Sequence, residues 1–212
     1  MDAAARRPHP GAMPDNATST DTETDFEAAR LTVRLPAIAA NYRTYQRTAG
    51  PARVAAVVKG DAYGLGAARI VPALAAAGCD SFFVARLAEG VALRAVVPQA
   101  RIFVLDGAQP DAIPALLTHR LTPVLNSLSD IAAWRAAAAA SRTVLDAVLQ
   151  VDTGMNRLGL SGEELAVLAA EARARLSGLN PVLVMSHLAC ADDEGADKAM
   201  NARQLDRFRT AL

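Results

Sequence analysis

From residue 31 onward, short apolar runs alternate with segments whose apolar residues recur every three or four positions. The runs predict strands and the recurrent segments predict helices. A first strand is expected over 31–35, where apolar and polar side chains alternate, and Pro36 then opens a helix with Ile38, Tyr42 and Tyr45 on one face. A buried strand is expected over 54–58 and further strands over 81–84, 101–105, 145–151 and 182–186, with a short one over 121–125 that Pro123 weakens. The helices between them are marked by Ile70 to Ala77 before Gly78, by Leu87 and Val91, by a start near Pro110, by the Ala-rich 126–140, and by Leu165 to Leu176. A last helix carries Leu205, Phe208 and Leu212.

Repeated strand-plus-helix units imply an α/β fold with a parallel sheet. From Val54 there are six such units, starting near 54, 81, 101, 121, 145 and 182. Their spacing suits a (β/α)8 barrel, which takes about 250 residues. Six units are also compatible with an open, doubly wound sheet, and periodicity does not separate the two. Residues 1–29 are rich in Pro, Thr, Asp and Ala and nearly free of large apolar groups, so they are expected to form a disordered tail. The domain is therefore expected over 30–212.

Composition narrows the function. Lys+Arg and Asp+Glu both number 22, and aromatic residues make up 4%. A balanced charge with few stacking rings disfavours nucleic acid and anionic membrane as partners. No apolar stretch approaches the ~20 residues of a membrane span, and Arg6 and Arg7 are not followed by the apolar segment of a secretory signal. Two cysteines, Cys79 and Cys190, are too few for a disulfide framework and suit a reducing, cytoplasmic setting. With His9, His119 and His187 far apart, no metal site is expected.

In parallel α/β folds, chemistry gathers where strands end. Three polar clusters fall at such places. Lys59-Gly-Asp-Ala-Tyr63-Gly64-Leu-Gly66 follows the expected strand 54–58. A lysine leaving a buried strand is desolvated enough to attack a carbonyl, as an imine-forming lysine must. The glycines allow close approach of backbone to a ligand, and Tyr63 offers a hydroxyl to an anion. A solvated strand-end lysine would look the same, and Gly64-x-Gly66-x-x-Arg69 also matches part of a dinucleotide fingerprint, with Arg86 placed to meet a 2′-phosphate. The second cluster, 151–159, reads VDTGMNRLG. Its Asp152-Thr153-Gly154 makes a turn, and Arg157 can hold an anionic oxygen or simply lie on the surface. The third, SHLACADD over 186–193, puts His187 at the end of an apolar strand, where a structural histidine is the ordinary reading.

Taken together in order and spacing, the three motifs resemble the N-terminal barrel domain of alanine racemases, pyridoxal-phosphate enzymes of fold type III, over about residues 30–212. The resemblance implies an incomplete (β/α)8 barrel and an isomerase that interconverts L- and D-alanine, supplying D-alanine for peptidoglycan. It implies pyridoxal 5′-phosphate on Lys59, which also removes the Cα proton of the D-enantiomer. Tyr63 corresponds to the residue binding the cofactor phosphate. Arg157 corresponds to the arginine near the ring oxygen and substrate carboxylate, and His187 to the histidine beside the ring. A homodimer is implied for the complete enzyme.

The chain departs from the family pattern in two ways. Gln150 stands where the family often has a carbamylated lysine, so a neutral amide is left to bond Arg157. The family's second base, a tyrosine on a C-terminal β domain, has no counterpart among Tyr42, Tyr45 and Tyr63. By resemblance the expected strand at 31–35 would pair with that domain, and the chain alone is expected to be inactive. A racemase of broader amino-acid range and a pyridoxal-phosphate-binding barrel without turnover are the alternatives.

Overall fold

The computed structural model describes residues 30–191 and 198–212, and Val33–Leu212 form one compact unit. The tail expected over 1–29 lies outside the described residues. Six parallel strands form one sheet: β1 (Ala56–Val57), β2 (Ser81–Val84), β3 (Arg101–Val104), β4 (Thr122–Leu125), β5 (Leu145–Gln150) and β6 (Leu179–Met185). Their spatial order is the order of the chain, 1-2-3-4-5-6. A doubly wound sheet reverses its order at a switch point. This sheet has none, so it is six neighbouring staves of a barrel, with helices on the outside. The dinucleotide reading of Gly64 and Gly66 lacks the switch-point crevice it requires.

The helices are α1 (Leu35–Ala49), α2 (Ala67–Ala76), α3 (Leu87–Val96), α4 (Ile113–Thr118, led in by a 3-10 turn at Pro110–Ala112), α5 (Leu128–Ser141), α6 (Gly162–Arg175) and α7 (Lys198–Ala211). Ser127 caps α5 by accepting from the Asp130 N–H, and Ser161 with Glu164 forms a capping box on α6. Glu164 also accepts from the Leu128 N–H at 3.0 Å, joining the starts of the two helices. Among the described residues no helix is long and apolar enough to cross a membrane.

Strand side chains alternate between two layers, as a period of two requires. Phe82, Ile102, Val104, Ala147 and Leu149 point outward into the layer shared with the helices, beside Val71, Leu93, Leu116 and Trp134. Phe103, Val124 and Val148 point inward, where Phe83, Leu105 and Met185 pack on them. Full burial of a side chain such as Phe82 contributes about 1.5–3 kcal/mol, which makes the outer layer the main source of stability.

Three expectations are corrected. Residues 31–34 form no strand, and Leu35 already belongs to α1. The alternating pattern there has no strand to pair with among the described residues, and an unpaired run has no ladder to hold it extended. Only Ala56 and Val57 of 54–58 join the sheet, because β1 pairs solely with β2 and Val57 is 46% exposed. Tyr45 is exposed although Tyr42, on the same helix, is buried. Pro123 sits inside the sheet rather than at an edge. It lies where β4 stops pairing with β3 (Val104↔Pro123) and starts pairing with β5 (Val124↔Val148), so a missing N–H costs the ladder little. Pro181 likewise marks the register shift in the β5–β6 ladder.

Candidate active site

Every strand delivers its C-terminal end to the same face of the sheet, because all six are parallel. There a cavity of about 370 Å³ opens, within the range of small-molecule sites. The polar groups Lys59, Tyr63, Arg157 and His187 all line it, above an apolar floor that includes Phe83, Leu105 and Met185. The ring of Phe83 in turn stacks on that of Phe103 at 4.7 Å. The four side chains selected from the sequence are thus brought together, although they span 129 positions of the chain.

Lys59 is half-buried and follows Val58, whose N–H donates to the Phe83 carbonyl at 2.9 Å. The chain then makes one left-handed turn: Gly60, Asp61, Ala62 and Tyr63 all have φ between 52° and 61°. An L-residue in that conformation costs about 1–2 kcal/mol, and three of these four carry a Cβ. The turn persists because its polar groups are satisfied. Ala62 N–H donates to Val58 O at 2.9 Å, Gly64 N–H to Gly60 O at 2.8 Å, and Ala67 N–H to Asp61 Oδ1 at 2.7 Å. The result is that Tyr63, four residues after Lys59, faces the same cavity.

Glu89 escaped sequence reasoning. Its carboxylate accepts from the Gly60 N–H, and from the N–H groups of Ala85 at 2.8 Å and Arg86 at 2.9 Å. It caps α3 and ties the peptide after Lys59 to the end of β2. The visible signal was an acidic residue three positions into a helix. Its second job needed the parallel pairing of β1 with β2. Arg86, weighed above for a phosphate, instead pairs with Asp106 at 2.8 Å on the cavity wall.

The loop carrying Arg157 is a closed structure. Leu160 N–H donates to Gln150 O at 2.8 Å and Asp152 N–H to Leu160 O at 3.0 Å, a parallel bridge between Val151 and Leu160. Asp152 Oδ1 accepts from the N–H groups of Gly154 at 2.9 Å and Asn156 at 3.1 Å. Gln150 is buried, and its amide donates to Leu158 O at 3.1 Å. The expectation that this amide would bond Arg157 is corrected: it steadies the loop instead. Arg157 is exposed at the cavity rim. His187 also stands exposed in the cavity rather than buried as an ordinary structural histidine.

The donor set fits one kind of ligand. An amine sits near a phenol, a guanidinium and an imidazole, over a flat apolar surface. That suits a planar aromatic aldehyde with an anionic substituent, and pyridoxal 5′-phosphate is such a molecule.

Comparison with known proteins agrees with this geometry. Residues 33–212 match the family model described as alanine racemase, N-terminal domain. The alanine racemase of Rhizobium meliloti (strain 1021) is 50% identical over 182 residues, which are 86% of this chain and 47% of that protein. A catabolic alanine racemase of Agrobacterium fabrum is 48% identical over 185 residues, 87% of this chain and 47% of that protein. The crystal structure of alanine racemase from Bartonella henselae, with covalently bound pyridoxal phosphate, superposes with a TM-score of 0.79 at 38% identity, covering 85% of this chain and 52% of that one. The biosynthetic enzyme of Pseudomonas aeruginosa gives 0.72 at 35% identity, with 83% and 48% covered. The chain spans about half the length of the curated relatives it matches.

Proposed function

Because the chain belongs to the alanine racemase family, we propose that it is the cofactor-holding part of a pyridoxal-phosphate-dependent racemase that interconverts L- and D-alanine. The single observation that carries this reading is the convergence of Lys59, Tyr63, Arg157 and His187 on one cavity over an apolar floor. When bound, pyridoxal phosphate would supply an electron sink for the carbanion left at Cα.

The chain's own residues then have distinct tasks. Lys59 Nζ holds the cofactor covalently when substrate is absent. As a free amine, Nζ would take the Cα proton of the D-enantiomer as a general base, a contribution of ~10² to 10⁴ in rate. Tyr63 donates its hydroxyl to the phosphate, and the left-handed turn fixes its reach. Arg157 donates to the substrate carboxylate and the ring oxygen by charge-assisted hydrogen bonds. His187 would orient the groups that hold the cofactor. The floor of Phe83, Leu105 and Met185 excludes water from one side. Supply of D-alanine for peptidoglycan and assembly as a homodimer complete the proposal.

The test is borohydride reduction of the chain with pyridoxal phosphate, followed by peptide mapping. Stable label on Lys59 is expected. Label on another lysine, with Lys59 bare, would overturn the assignment.

A further inference from the structure

We propose that Gln204 is a positioning residue for this site: its carboxamide, on the last helix, fixes the two strand-end loops that carry Arg157 and His187. The inference rests on reading the cavity as a cofactor and amino-acid site. Gln204 is 1% exposed. An amide buried without partners costs about 1–3 kcal/mol, so its hydrogen bonds account for its presence there.

Those bonds go to the two site loops. Gln204 Nε2 donates to Thr153 Oγ1 at 3.2 Å and to the His187 carbonyl at 3.0 Å, and Oε1 accepts from the Ala189 N–H at 3.0 Å. Thr153 is itself 1% exposed and shares a 2.7 Å hydrogen bond with Ser186 Oγ. Arg207 is three residues further along α7 and so on the same helix face. It donates Nη1 to the Thr153 carbonyl at 3.0 Å. One face of α7 therefore grips Thr153 by both its side chain and its main chain.

The location explains why the grip is needed. The β5–β6 ladder ends at Gln150↔Met185, and Val151 N–H to Met185 O at 2.8 Å closes it. The residues that follow are Asp152 and Thr153 on one side, Ser186 and His187 on the other. Gln204 ties the two segments together just beyond the end of the β5–β6 ladder. Arg157 follows Thr153 by four residues, and His187 is bonded directly at its carbonyl. A methionine of similar size would fill the space but lose the three amide hydrogen bonds to Thr153, His187 and Ala189.

The test uses the full chain and reads the His187 ring by NMR, with His119 as an internal reference. His119 follows α4 and precedes β4, at the opposite end of the strands. In Gln204→Met, the His187 ring signals should move while those of His119 stay. The dissociation constant for pyridoxal phosphate should rise about tenfold, equivalent to roughly one net hydrogen bond of lost preorganisation. Thr153→Val should act in the same direction and Thr153→Ser should not, and this pair decides the matter if Gln204→Met does not fold. Unmoved His187 signals in the folded variants would overturn the proposal, whatever happens to the unfolding temperature. The ring signals are read without cofactor, so a failure of the wild-type chain to bind pyridoxal phosphate, which refutes the function above, is told apart from unmoved His187 signals, which refute the positioning role of Gln204.

Discussion

Gly159→Ala should disrupt the site far more than its one added carbon suggests. Gly159 has φ +111°, and a Cβ there would stand 2.8 Å from the Asp152 nitrogen and 2.9 Å from the Val151 carbonyl carbon. Both obstacles are backbone, so neither can swing aside. Backbone strain of about 1–2 kcal/mol and overpacking of about 1–3 kcal/mol would together exceed what the loop gains by staying closed. The bridge that closes it consists of two hydrogen bonds, Leu160 N–H to Gln150 O and Asp152 N–H to Leu160 O. These contribute about 0.5–1.5 kcal/mol each, so opening the loop is the cheaper response. The global loss is then set by those two bonds at about 1–3 kcal/mol, a fall in Tm of roughly 2–12 °C for a chain of this size. Arg157 would go with the opened loop, and pyridoxal-phosphate affinity should fall further than stability. Gly162→Ala is the control, since nothing lies within 4 Å of a Cβ there and the residue starts α6. Thermal unfolding and absorbance titration with pyridoxal phosphate measure the two effects. An unchanged Tm and affinity in Gly159→Ala would refute the reasoning.

Other expectations follow from the same structure. Burial, then the hydrogen bond with the Cys79 thiol, pushes the Tyr42 phenol up to about 12. Its folded value lies above its unfolded value near 10, so the stability it contributes is present at neutral pH and is lost as pH rises from about 10 through 12. Tyr42→Phe should cost about 1–3 kcal/mol by leaving the Val54 carbonyl unbonded (3.0 Å in the wild type), and urea midpoints between pH 8 and about 11 should fall less steeply than in the wild type; an equal slope would refute the assignment. Arg157→Ala should leave the unfolding free energy within about 0.5 kcal/mol because the side chain is exposed, while weakening binding of pyridoxal phosphate or of alanine; unchanged binding would make Arg157 a surface residue. The 212-residue chain alone should exchange the Cα proton of D-alanine slowly and from one side, since Tyr42 is buried on α1, Tyr45 is exposed on that helix and Tyr63 is assigned to phosphate. Rapid conversion of both enantiomers would show that a second base lies within these residues.

The alternation of runs and periodic segments was enough to place every barrel strand and helix of the described residues, because burial between two layers demands apolar residues at strand and helix spacing. The three motifs were readable for the same reason: each directly follows such a run, and a parallel sheet sends all those positions to one face. Local pattern could not show which strands are neighbours. Barrel and doubly wound sheets bury the same residues, and only the sequential pairing from Ala56↔Phe82 to Gln150↔Met185 separates them. The apolar pattern at 31–35 misled for a related reason, since a strand exists only where a partner offers its N–H and C=O groups. The left-handed turn at Gly60–Tyr63 was equally hidden, because Asp, Ala and Tyr disfavour it and a network of bonds to Val58, Glu89 and Ala67 outweighs that preference. Gln204 looked like one polar residue on a helix. Its meaning depends on contacts 51 positions away at Thr153 and 17 away at His187, and a hydrogen-bonding side chain carries no mark in the sequence of where its partners will be.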